Sequence, residues 1–191
     1  MSARSGHASQ PFDPSTPTPP RPAPVDAARP LLRHLLATLA YRAAKVLRDA
    51  PPEFAAFQLE GGGRRPPVQI LAHMGDLMTW GLHLTSGEYR WRAEGSDDWD
   101  VELRRFFDGM TALDRRLSED APLGYPAEIM IQGPLADALT HVGQLAMLRG
   151  AMGAPVRPES YARATIAAGR VGLDQAPPGR EFDGDASARE S

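Results

Sequence analysis

Asp137, His141 and Gln144 fall at steps of four and three within PLADALTHVGQLAMLRGAM, and His73, Asp76, Trp80 and His83 fall at steps of three, four and three within VQILAHMGDLMTWGLHLT. Residues three and four apart share one helical face, so each run lays a polar stripe along an otherwise apolar helix. An acid and an imidazole one turn apart can hydrogen-bond each other or ligate one metal ion together, and this spacing permits both.

A buried polar group without a partner costs about 1–3 kcal/mol, so two polar stripes on core helices must meet each other or hold an ion. A divalent metal answers both needs. His73 from one helix with Asp137 and His141 from the other supplies two imidazoles and one carboxylate and leaves positions open for water or substrate. Asp76 and Gln144 are placed to accept the remaining imidazole N–H bonds. The competing reading makes His73 and His141 hydrogen-bonded core histidines, with Asp137 paired to His141. His83, at a helix end, is expected to be exposed; His34 lies among leucines and His7 in a Pro-rich stretch, neither with a visible partner. No residue is assigned a catalytic role.

The elements that must position these groups are helical. The stretch Pro134–Met152 reads as a helix with Pro134 in its first turn and Gly153 and Pro155 beyond its end. Pro30–Arg48 repeats leucine, alanine and valine at a period near 3.6, and Val68–Thr85 does the same. A third helix runs from Asp98 to about Ser118, with Asp97 or Asp98 as cap and Asp100 and Glu102 complementing the dipole. Between the third and last helices APLGYPAEIMIQG is too rich in Pro and Gly for helix, and Glu128–Gln132 reads as a short extended piece. The run GGGRRPP lacks a preceding strand and the glycine spacing of a nucleotide fingerprint, so it reads as a connecting loop. The chain divides into a disordered Pro-rich arm over 1–28, an all-α four-helix bundle over 29–172 and a disordered polar tail over 173–191.

Composition narrows the function classes. With 191 residues, 42% hydrophobic and 24% charged, the chain suits one soluble domain with a sizeable core. A net charge of −3 and no basic run give no footprint for nucleic acid or an anionic membrane. No stretch reaches the roughly 18–20 apolar residues of a membrane span, and no secretory signal pattern opens the chain, which points to the cytoplasm. There is no cysteine, so any thiol chemistry must use a thiol brought by a small molecule.

The histidine in ILAHMGDL and the later helix HVGQLAMLRGAMGAP resemble the DinB superfamily, which includes thiol-dependent transferases and isomerases of the mycothiol-dependent maleylpyruvate isomerase type. The resemblance covers roughly Pro30 to Gly153. It implies a four-helix bundle of up-down-down-up topology that binds a divalent metal through one histidine of the second helix and two, four residues apart, of the fourth. His73 matches the first, and His141, ahead of Val-Gly-Gln, matches the later of the pair. Asp137 stands at the earlier position, a departure that admits iron, nickel or manganese beside zinc.

Two functional readings follow. In one the protein is a metal-dependent enzyme of the thiol-transferase class, a transferase, isomerase or hydrolase, whose metal activates a small-molecule thiol or water toward a small-molecule substrate. Arg170, or Arg64 with Arg65, is a candidate for holding a substrate carboxylate. In the other it is a non-catalytic ligand-binding or structural bundle, monomeric or homodimeric, with a structural metal or none. A fourth protein ligand such as Asp76 sealing the site would favour the second, and an open position beside a cavity the first.

Overall fold

A computed structural model describes residues 28–60 and 65–182. The expected N-terminal arm, apart from Ala28, the run Gly61–Arg64 and residues 183–191 lie outside the described residues. The helices are α1 (Ala28–Leu47), α2 (Pro67–Thr85), α3 (Trp99–Ser118), a single turn α4 (Ala127–Met130) and α5 (Ala136–Ala151).

The apolar periods on the four long helices converge on one core. Leu32, Leu36 and Leu39 of α1 meet Leu71, Met74 and Met78 of α2, Phe106, Met110 and Leu113 of α3, and Ala138 and Leu145 of α5, all fully buried. Burial of each large side chain favours the fold by about 1.5–3 kcal/mol. Both α1 and α2 pack against α3 and α5, so the order around the bundle is α1, α3, α2, α5. The α1–α2 connection therefore crosses the bundle, and it is held midway by Phe54, fully buried in a 3-10 turn with its ring edge-on to Trp99. Among the described residues there is no β-strand, and no helix is long and apolar enough to cross a membrane.

Side chains close the helix ends and fix the registers. Asp98 caps α3, its Oδ1 accepting the Val101 N–H at 3.0 Å. Arg33 of α1 grips Asp114 of α3 through two parallel bonds of 2.9 Å. Arg149 of α5 is buried and donates to the carbonyls of Val46, Arg48 and Asp49 at the end of α1, and to Ala154 past its own helix. Those carbonyls have no partner within a helix, so one guanidinium satisfies the terminus of a neighbour.

Two local expectations are corrected. Glu128–Gln132 is not extended: Ala127–Met130 is helical and passes through a π turn, Ile131–Leu135, into α5. Pro134 lies in that wider turn rather than opening a helix, which accommodates its missing N–H and the ring that would strike the preceding turn. Gly133 turns out of helical geometry there, at φ −88° and ψ −105°. Trp80 fills the space beside it, and a Cβ at residue 133 would lie 2.9 Å from the ring.

The second correction concerns the polar C-terminal part. Residues 154–182 lie along α1, so 173–182 are not a free tail. Glu159 is the anchor: its carboxylate accepts from Tyr41 at 2.7 Å, Lys45 at 2.8 Å and the Gly179 N–H at 3.1 Å, while Lys45 also reaches Glu181 at 2.6 Å. Tyr161 stands edge-on to Tyr41 with Arg42 over its ring, and Arg48 holds the Leu173 carbonyl. Burial and the bond to Glu159 push the Tyr41 phenol well above its ordinary value. Burial pulls the Lys45 ammonium down, but Glu159 and Glu181 more than restore it.

Candidate metal centre

The stripes of α2 and α5 meet. Asp137 presents one oxygen to each imidazole, Oδ1 at 3.4 Å from His141 Nε2 and Oδ2 at 3.5 Å from His73 Nε2. The imidazole rings stand perpendicular with centroids 4.9 Å apart, and one ligand atom from each of the three residues lies within 4.8 Å of the others. Donors about 2.0–2.2 Å from a tetrahedral ion stand about 3.3–3.6 Å from one another, and each imidazole lies at that separation from a different oxygen of Asp137. Two imidazoles and a carboxylate suit a divalent transition metal in kind, and the three are close enough together to hold one.

Gln144 lies beside His141, as its spacing predicts. Its side-chain amide lies 2.8 Å from His141 Nδ1, and with the amide oxygen accepting there the proton is held on Nδ1, which leaves Nε2 to ligate a metal. Burial pushes the His73 imidazole below its ordinary value; His141 adds to this, Asp137 opposes it, and Arg65 pushes the same way. The net effect favours the neutral ring, the form that ligates metal.

Asp76 does not take the expected place behind His73. Three residues along α2, its side chain is turned to α3, where Oδ1 accepts from Arg105 at 2.7 Å and from the Glu94 N–H at 3.1 Å. Arg105 also pairs with Glu102 at 2.6 Å and holds the Ala72 carbonyl; Gly75 makes the room, since a Cβ there would lie 2.8 Å from the guanidinium carbon. Glu102, nearly fully buried, accepts in turn from the Ser96 N–H at 2.6 Å and the Ser96 hydroxyl at 2.8 Å. Burial pushes its carboxyl up, but the bonds from Ser96 and Arg105 hold it below the usual carboxylate range.

The network fastens the extended strap between α2 and α3 to the bundle, and the strap carries Trp91 edge-on to His73 at 5.4 Å between centroids. Trp91 also meets Trp80, which contacts Tyr89 in turn. His83, expected to be exposed, is half-buried with Nδ1 3.3 Å from the Arg90 carbonyl, while His34 is exposed.

The centre is not sealed in the core. The side chains of His73, Asp137 and His141 are 21%, 46% and 14% exposed, and clefts open on both sides of them. A cleft of about 510 Å3 opens beside His141 and Gln144, and one of about 400 Å3 beside His73 and Trp91. Residues 154–182 contribute to neither wall. Arg65 borders both, whereas Arg170 is bound to Asp174 in the C-terminal segment. Spacing singled out His73, Asp137, His141 and Gln144, which the structure brings together; the tie made by Arg105 and Glu102 and the place of Trp91 were missed, and Gly75 and Gly95 were their faint signals, each marking a close approach to α2 or Arg105.

No protein-family model, curated protein or solved structure matches the chain.

Proposed function

We propose that the protein is a divalent-metal-dependent enzyme of the DinB-like, thiol-transferase class, with up-down-down-up topology and His73, Asp137 and His141 as metal ligands. One observation carries the reading: two imidazoles and a carboxylate from two helices converge within 4.8 Å on the rim of a cleft. A structural metal would call for a fourth protein ligand and a closed shell, and the nearest expected donor, Asp76, is committed to Arg105. Zinc, iron, nickel or manganese suits the donor set.

The bound metal would supply Lewis acidity, lowering the pKa of a small-molecule thiol or of water. The chain's own residues do the rest. Gln144, beside His141 Nδ1, would hold the ring with Nε2 free for the metal. The strap, held by Glu102, Arg105 and Asp76, keeps Trp91 against His73 as one wall of the open cleft there. The clefts leave room for a thiol and an electrophile side by side, an arrangement that makes their encounter effectively unimolecular.

The test is metal content by elemental mass spectrometry on untagged protein, beside His73→Ala and His141→Ala. Near one equivalent of a transition metal in the parent and little in either variant, with helix content kept, is the expected result. Full occupancy in both variants, or none in the parent after dialysis against the four metals, refutes the centre.

A further inference from the structure

The two clefts differ in chemistry and share one cation. Arg65 is exposed, borders both, and makes no hydrogen bond or ion pair among the described residues. Two arginines that reach α2 are engaged, Arg105 with Asp76 and Arg116 with the Thr85 and Pro122 carbonyls. On the His141 side the wall is Ile70, Met147 and Leu148, and Met147 stands half exposed, a large apolar side chain left against solvent on the lip of a cleft. A free guanidinium at the junction of a metal-ligand cluster and an apolar wall selects for a ligand with both an anionic and an apolar end.

We propose that the ligand of this site is a small amphiphilic carboxylate, its carboxylate paired with Arg65 beside the triad and its apolar body lying on Ile70, Met147 and Leu148. The inference rests on the proposed metal in one respect: the Asp137 carboxylate repels a second anion, and a bound dication offsets that repulsion. Arg65 offers a planar fork that matches a carboxylate in two bonds, which an amide or an alcohol cannot reproduce. A body of five or six carbons fits within about 510 Å3.

The experiment uses hexanoate as probe, titrated by calorimetry into the zinc-loaded full-length chain, with acetate and hexanamide alongside. Hexanoate should bind more tightly than either, the first comparison reading the apolar wall and the second the charge. Arg65→Gln, on an exposed side chain with no partner among the described residues to lose, should weaken hexanoate by about tenfold or more at unchanged zinc content and helix content. Equal binding of hexanamide, or equal affinity in Arg65→Gln, overturns the proposal. If the parent takes up no zinc, the metal reading fails by itself, and the same titration on metal-free protein decides this one. Arg65-dependent hexanoate binding there upholds it, and none overturns it.

Discussion

Replacing Gln144 by Leu isolates the step from helix geometry to metal affinity. The variant keeps length and helix propensity while removing the oxygen 2.8 Å from His141 Nδ1. With the amide oxygen accepting from Nδ1, the ring proton is held there and Nε2 is left for the metal; without it the proton is free to occupy Nε2, beside Asp137, and must be displaced before a metal binds. A net hydrogen bond of this kind contributes about 0.5–1.5 kcal/mol, which at 1.4 kcal/mol per decade is about 2- to 12-fold in affinity. Supporting partners of metal-bound histidines range over about 10- to 100-fold, and the solvent exposure of Gln144 sets the expectation at the lower end, about five- to tenfold. Competition for zinc against a chromophoric chelator at pH 7 measures it, with circular dichroism as the folding control. Gln144→Glu, a stronger acceptor, should move affinity the other way. An unchanged dissociation constant in Gln144→Leu, beside lost binding in His141→Ala, would refute the tautomer argument while leaving the ligand set intact.

Acid should loosen the strap and the C-terminal segment before the core. The Glu102 and Glu159 carboxyls are pushed up by burial, yet their hydrogen bonds hold both below the usual value. Their contribution is therefore present above the unfolded carboxylate value near 4.5 and lost as pH falls through the folded ones, an order that hydrogen exchange on 88–98 and 155–182 below pH 4.5 would reveal. Gly133→Ala places a Cβ 2.9 Å from Trp80, whose ring is wedged against Tyr89 and Trp91, and should cost about 1–3 kcal/mol in urea melts with altered tryptophan fluorescence. Arg149→Met strips the donors from the end of α1 and should cost about 2–4 kcal/mol by the same melts.

The long helices were legible because their information is local. The leucines of α1 and the phenylalanines of α3 repeat at the period of the helix they form, and Asp98 announces its own cap. The candidate ligands were legible for the same reason, since spacing decides which residues share a face. What lies opposite that face was not. Asp76 and His73 share a stripe, but three residues along the helix also turn the side chain toward α3, and only the packed bundle reveals Arg105 waiting there. Sequence also suggested buried stripes, whereas the rim position leaves Asp137 nearly half exposed. The π turn escaped because Pro and Gly signal an interruption without saying whether the helix resumes. The C-terminal segment looked like a tail because Glu159 anchors it through Tyr41 and Lys45, more than a hundred residues away.

Lys45 is the only lysine in the chain, and it is the residue that ties Glu159 and Glu181 to α1. With its ammonium 10% exposed and doubly paired, it is not a nucleophile until those ties open. An amine-reactive ester thus finds one side-chain target, and its labelling rate is a clock for the local opening of the C-terminal segment. Acylation at that atom also removes the charge that closes the segment, so each labelling event is self-locking: a molecule caught open stays open.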